Sequence, residues 1–246
     1  MTTAIAISCQ DRPAQTVGFE FMGDRLIGKR VLVTSCNTYM GPSIVKLFRE
    51  EGADVIADVG ALIGATEPAD VLDRAGEIDV LVANLDLAAS AARVRDIEDD
   101  QWMAGFDAMV HPLMRLVRAA AQPMIDRGGG SIVALTSSSP LRRMRPQATS
   151  YVTARAAQNA FVRSAGHELA AHNVRVNAIA QNFVENETYY PPSIMENEKF
   201  RDRLQSEVPA QRLGRPRETA EFALFLASDA STFTFGQVIS LDGGWS

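Results

Sequence analysis

The stretch LTSSSPLRRMRPQATSYVTAR places Tyr151 four residues before Arg155 and thirteen residues after Ser138. A phenol and a guanidinium at i and i+4 share one face of a helix, where the cation can sit beside the oxygen and favour its ionised form. A free phenol, with a pKa near 10, is ionised only about one part in a thousand at neutral pH, and each unit of depression adds tenfold. Tyr151 is therefore a candidate general base, Arg155 the group that activates it, and Ser138 a second donor holding the same substrate oxygen. A surface helix pair without chemistry would carry the same Tyr-x-x-x-Arg spacing. The apolar run GSIVALTS and the serine ahead of the pair favour a site.

Such residues need a scaffold, and the rest of the chain supplies one. The runs RVLVTS, ADVIAD, IDVLVANL, GSIVALTS, VRVNAIAQ and GQVISLDGG are short, rich in β-branched residues and bounded by turn formers, as strands buried on both faces would be. Between them, Pro42 to Glu51, Asp99 to Ile125, Thr149 to His172 and Arg217 to Ser228 have helical period. Alternation of this kind predicts an α/β fold, a doubly wound Rossmann-like parallel sheet with helices on both faces in a single domain. Residues 22–246 form that domain and residues 1–21 an N-terminal extension. Ligands of such a fold bind beyond the carboxyl ends of the strands, at Thr34-Ser35, Asn84, Thr136 to Ser138 and Gln181-Asn182.

Composition narrows the partners. The chain has 246 residues, 22% charged and 46% apolar, with a net charge of -6. That balance argues against nucleic acid and an anionic membrane, and no apolar run approaches the roughly 18 residues of a membrane span. The run LRRMRP, Leu141 to Pro146, is the one basic exception and reads as a solvated face or subunit contact. Cys9 and Cys36 are too few for a disulfide framework, and no His/Cys cluster has metal-ligand spacing, so no metal is expected and a cytoplasmic location fits. His111, His167 and His172 lie on helices away from the strand ends and read as structural.

Ser138, Tyr151 and a cation four residues on form a pattern that resembles the short-chain dehydrogenase/reductase superfamily, as do RVNAIA, RLGRPRETAEFALFLASDAS and the closing GQVISLDGG, from about Arg25 to Ser246. In those oxidoreductases the cation is lysine, which also grips the nicotinamide ribose, and the first turn is glycine-rich so that backbone can approach a pyrophosphate. The stretch VLVTSCNTYMG has Ser35 and Tyr39 at the first two glycine positions, with Gly41 retained. VANLDLA keeps Asn84 but has Leu85-Asp86 in place of Ala-Gly, FDAMVHPLMRL lacks the relay asparagine, and IAQNFVENETYYPP lacks the Pro-Gly beside the nicotinamide. Asp58, ending the second strand, could hold a ribose or simply cap the strand. A retained base with Arg155 and an aromatic in the first loop is similar to the halohydrin dehalogenases, cofactor-independent relatives with a Ser-Tyr-Arg triad and a halide site.

That resemblance implies no redox cofactor, and a halohydrin or epoxide with a halide or other small anion as ligands. Ser138 and Tyr151 would hold the hydroxyl, Tyr151 would remove its proton, and ring closure would expel halide; in reverse, azide, cyanide or nitrite would open an epoxide. The halide nest falls on the loop after VRVNAIA, with Phe183 and Val184 as backbone donors and Gln181 and Asn182 shaping the turn. Tyr39, Leu87, Tyr189 and Tyr190 are candidate pocket walls or plain packing, and Trp245 caps a pocket or anchors the tail. In the related folds the two long helices, which here carry the small-residue faces VRAAAQ and TARAAQNAF, form four-helix bundles between subunits, so the resemblance implies a homotetramer ahead of a dimer. Two rivals stand beside this reading: an atypical NAD(P)-dependent reductase, and a non-catalytic ligand sensor on the same fold.

Overall fold

The computed structural model describes residues 23–60, 62–88, 91–142 and 146–246. The expected extension, residues 1–21, lies outside the described residues, as do Cys9, Arg143 and Arg145. All six expected strands form: β1 (Arg30–Val33), β2 (Asp54–Ala57), β3 (Val80–Ala83), β4 (Gly130–Ser137), β5 (Val174–Gln181) and β6 (Val238–Leu241). They make one parallel sheet in the order β2-β1-β3-β4-β5-β6. The order reverses at β1, so β1 and β3 part at their carboxyl ends and leave the crevice that ligands of doubly wound sheets use.

Helices α1 (Gly41–Glu50), α2 (Glu67–Ala75), α3 (Asp99–Gly105), α4 (His111–Asp126), α5 (Thr149–Leu169), α6 (Glu198–Glu207) and α7 (Pro216–Ala227) complete the domain. Of these, α2 and α6 were not signalled by the strongest periodic runs, both being short and polar. Period two along the strands divides the core. Leu32, Leu81, Ile132 and Val176 face α2, α4 and α5. Val31, Val33, Val82, Val133 and Ile179 face α1 and α7.

The expected single helix from Asp99 to Ile125 is interrupted: between α3 and α4 the chain widens into a π turn, Phe106–Val110. Pro112 explains the break, since it has no N–H to give and its ring would crowd the carbonyl four residues back. One carbonyl of the widened turn, Met109 O, accepts a hydrogen bond from Gln158 Nε2 of α5 at 2.8 Å. No helix among the described residues is long and apolar enough to cross a membrane.

Candidate active site

α5 carries the expected base, Tyr151. Its long register against β4 and β5 fixes the helix, and Arg155 on its inner face is fully buried. Arg155 Nε donates to Tyr151 Oη at 3.2 Å, so the i,i+4 pair forms as its spacing predicts. Nη1 donates to Leu85 O (3.1 Å), Leu135 O (3.2 Å) and Gln158 Oε1 (3.0 Å), and Nη2 to Tyr189 Oη (3.3 Å). Among the described residues the guanidinium has no carboxylate partner. A buried cation met only by carbonyls, an amide and phenols carries a charge that no carboxylate balances. Burial works against the charge on Arg155, yet the surrounding phenols of Tyr151, Tyr189 and Tyr39 hold its pKa above the ordinary range. Burial also pushes the Tyr39 and Tyr189 phenols up, against the pull of Arg155, so both remain neutral hydroxyls at physiological pH.

Three rings gather at this point. Tyr189 packs edge-on against Tyr39 at 5.6 Å between centroids and lies 5.8 Å from Tyr151. Tyr189 Oη donates to Leu87 O at 2.6 Å and accepts from Leu87 N and from Arg155, so its hydroxyl is fully engaged. Tyr39 comes from the loop between β1 and α1. There Ser35 (φ 45°) and Tyr39 (φ 52°) hold left-handed backbone that suits glycine, yet both carry side chains. Asn84 braces the loop: its Nδ2 donates to Ser35 O (2.9 Å) and Thr38 O (3.0 Å), and its Oδ1 accepts from Met40 N (3.4 Å). Gly41 is needed for space, since a Cβ there would stand 2.7 Å from the Cys36 backbone.

The loop after β5 closes the other side. Asn182 Oδ1 accepts from Phe183 N (2.9 Å) and from Tyr190 Oη (2.6 Å). Asn186 folds the next turn, its Oδ1 accepting from Thr188 N and Tyr189 N and its Nδ2 donating to Val184 O, and this swings Tyr189 inward. Among these elements lies a cavity of about 720 Å³ whose wall includes Tyr39, Tyr151, Gln181, Asn182, Val184 and Tyr190.

Comparison with known proteins places the chain in a family. Residues 65–246 match the sequence profile of the enoyl-(acyl carrier protein) reductases. The 3-oxoacyl-(acyl-carrier-protein) reductase of Thermotoga maritima is 32% identical over 248 aligned positions, covering 89% of this chain and 98% of that protein. The chain belongs to the short-chain dehydrogenase/reductase superfamily. Among solved members, a gluconate 5-dehydrogenase from Burkholderia cenocepacia, in complex with NADP and tartrate, superposes with a TM-score of 0.82 at 26% identity over 91% of this chain and 98% of its own. Another solved protein, described as a dehalogenation enzyme, superposes with a TM-score of 0.83 at 29% identity over 90% of this chain and all of its own.

Against this superfamily frame the expected residues sort by position. Tyr39, Gln181, Asn182, Val184, Tyr189 and Tyr190 line the cavity with Tyr151. Leu87 does not; its backbone instead holds the Tyr189 hydroxyl. Phe183 is also off the wall, because its N–H is taken by the Asn182 side chain and its ring is buried against Phe200 and Trp245. Val184 N–H makes no hydrogen bond among the described residues. Ser138 Oγ is buried without a partner, while the serine on the cavity wall is its neighbour Ser139. Asp58 caps its own strand end, accepting from Gly60 N at 3.0 Å and pairing with Arg74 at 3.6 Å. Asn186 and the outer residues Phe200, Arg203 and Glu207 also line the cavity and were not singled out from the sequence, and Arg142, read within LRRMRP as part of a solvated face or subunit contact, lines it too. Asn186 alone had a local signal, an Asx turn in ENETYYP. The described residues contain no group of metal-ligating side chains.

Proposed function

We propose that this superfamily member is a halohydrin dehalogenase, closing vicinal haloalcohols to epoxides and opening epoxides with small anions. The observation that carries the reading is the buried Arg155, its charge turned onto Tyr151 with no carboxylate to balance it. Tyr151 Oη, facing the cavity, takes the substrate hydroxyl proton. The oxygen then bonds to the adjacent carbon, and the carbon–halogen pair leaves with the halide. The departing charge needs donors already in place, and on the loop after β5 the wall residues Val184 and Asn182 have N–H groups, Val184 N and Asn182 Nδ2, without an acceptor among the described residues. Ser138, expected as the second hydroxyl donor, keeps its Oγ buried and off the cavity wall, so of the two hydroxyls only that of Tyr151 belongs to a wall residue.

A dinucleotide fits the residues of the first loop poorly. Tyr39 puts a ring where the loop's left-handed backbone would otherwise leave room, and Met40 N and Gly41 N at the start of α1 already donate to Asn84 Oδ1 and Thr38 O. Pro42 has no N–H to offer, and Tyr189 Oη occupies the position beside the cation. The reductase alternative draws on the relatives, and one comparison separates the two. Bromide release from a bromoalcohol, lost in Tyr151→Phe, with no quenching by NADH or NADPH at micromolar concentration, is the expected outcome. Tight nucleotide binding without bromide release would reject the dehalogenase.

A further inference from the structure

The cavity is much larger than this chemistry requires. A haloalcohol of two or three carbons needs Tyr151 and the loop after β5, which occupy only the inner part of its roughly 720 Å³. Cavities of this size ordinarily enclose ligands of drug-like dimensions. The outer part is built from Ile194, Phe200, Trp245 and the edge of Ala148, with Phe183 packed behind them. Phe200 and Trp245 give it flat, rigid, apolar surfaces. Beyond them the rim is charged: among the described lining residues two guanidiniums, Arg142 and Arg203, accompany one carboxylate, Glu207. Both cations are held in place by the aromatic wall, Arg142 over the Trp245 ring at 5.0 Å and Arg203 over the Phe183 ring at 5.0 Å. Arg142 also donates to Trp245 O at 2.6 Å, and Glu207 Oε2 accepts from Arg203 Nε at 3.3 Å and from Trp245 Nε1 at 3.4 Å. Each guanidinium keeps N–H groups beyond those bonds.

We propose that the outer cavity is a substrate subsite for an aromatic substituent ending in a carboxylate, seated between Phe200 and Trp245 with its charge toward Arg142 and Arg203. The inference rests on the dehalogenase reading and names the substrate class of that site: aryl halohydrins or aryl epoxides with an acidic tail. Burying a ring gives the selectivity for size, and a charge-assisted hydrogen bond at the rim gives the selectivity for the acid.

Three substrates test it: a para-carboxyphenyl bromohydrin, its neutral phenyl analogue, and propene bromohydrin. The expected order of kcat/KM for bromide release is carboxyphenyl, phenyl, propene. Arg203→Gln and Arg142→Gln should each lower the carboxyphenyl-to-phenyl ratio about tenfold, the worth of one charge-assisted bond at a partly exposed site. Ala148→Trp, which fills the outer chamber from the N-cap of α5, should lower the phenyl-to-propene ratio by about the same factor. Equal rates for all three substrates, or ratios unmoved by these variants, overturn the subsite. If no substrate releases bromide, calorimetric titration with para-carboxybenzyl alcohol separates the two readings. Binding that weakens about tenfold in Arg203→Gln supports the subsite and rejects the reaction, whereas no binding rejects both.

Discussion

At the scale of the residue, the site turns on how five N–H groups of one guanidinium are spent. Arginine, unlike lysine, offers a planar fork that reaches Tyr151, Tyr189, Gln158 and two carbonyls at once. Arg155→Lys must therefore abandon several of these acceptors inside a dry pocket. We expect the variant to fold less stably and to keep only a remnant of bromide release, while Tyr151→Phe loses a factor of about 10² to 10⁴, the usual contribution of a proton-transfer group. Tyr189 gives a sharper case. Its hydroxyl satisfies Leu87 N, Leu87 O and Arg155 together, so Tyr189→Phe leaves three partly buried groups short of a partner while keeping the ring. A loss of about 1–3 kcal/mol in urea unfolding is expected for such orphaned groups. A stability unchanged within about 0.5 kcal/mol would mean that water replaces the hydroxyl and that the phenol is packing alone. The Tyr151 and Arg155 pair was legible in the sequence because helical spacing is a local property. The engagement of Phe183 N by the Asn182 side chain was not, since it depends on how a loop of irregular backbone closes on itself.

At the scale of the element, strands announced themselves and interruptions did not. Every one of the six β-branched runs became a strand, because burial on both faces demands that composition. The π turn ahead of Pro112 was hidden within a continuous amphipathic pattern, which reports the buried face and says nothing of the hydrogen-bond ladder. That turn matters to the site, for its Met109 carbonyl holds Gln158, and Gln158 in turn holds Arg155. The loop from β1 to α1 shows the same dependence on distant support. Ser35 and Tyr39 keep backbone conformations that cost non-glycine residues on the order of 1–3 kcal/mol each, and Asn84 at the end of β3 supplies hydrogen bonds that hold them there. Asn84→Ala should release the loop. The expected signs are faster amide exchange at residues 35–40 and a stability loss of about 2–3 kcal/mol, as for a buried network deprived of its central amide. If exchange in the loop stays as slow as in α1, the loop holds its own shape and the bracing role assigned to Asn84 is wrong.

At the scale of the whole molecule, charge ties the two ends of the fold together. Glu51, following α1, accepts from Arg25 N, Nε and Nη2; Arg25 reaches on to Glu221 of α7, and Arg217 joins Glu221 to Glu50. A second pair, Arg212 with Glu218, fastens the segment before α7. Hydrogen bonds from Arg25 hold the Glu51 carboxyl below its usual range, and hydrogen bonds from Arg212 and Arg215 N bring Glu218 down to about 2. A carboxylate whose folded pKa is depressed binds fewer protons in the folded state than in the unfolded one at intermediate pH. Its contribution to stability is therefore complete above the ordinary carboxylate pKa, near 4.3, and is lost as pH falls toward the folded value. Unfolding free energy should accordingly fall between about pH 5 and pH 2. Glu51→Gln should be the less stable protein at pH 6, with a shallower acid slope, so that the two curves converge near pH 2. Glu218→Gln should behave alike but more weakly, because that pair stands in solvent and is screened by salt. Parallel curves for wild type and Glu51→Gln across this range would show that the Arg25 network contributes packing alone and that acid sensitivity originates elsewhere in the fold.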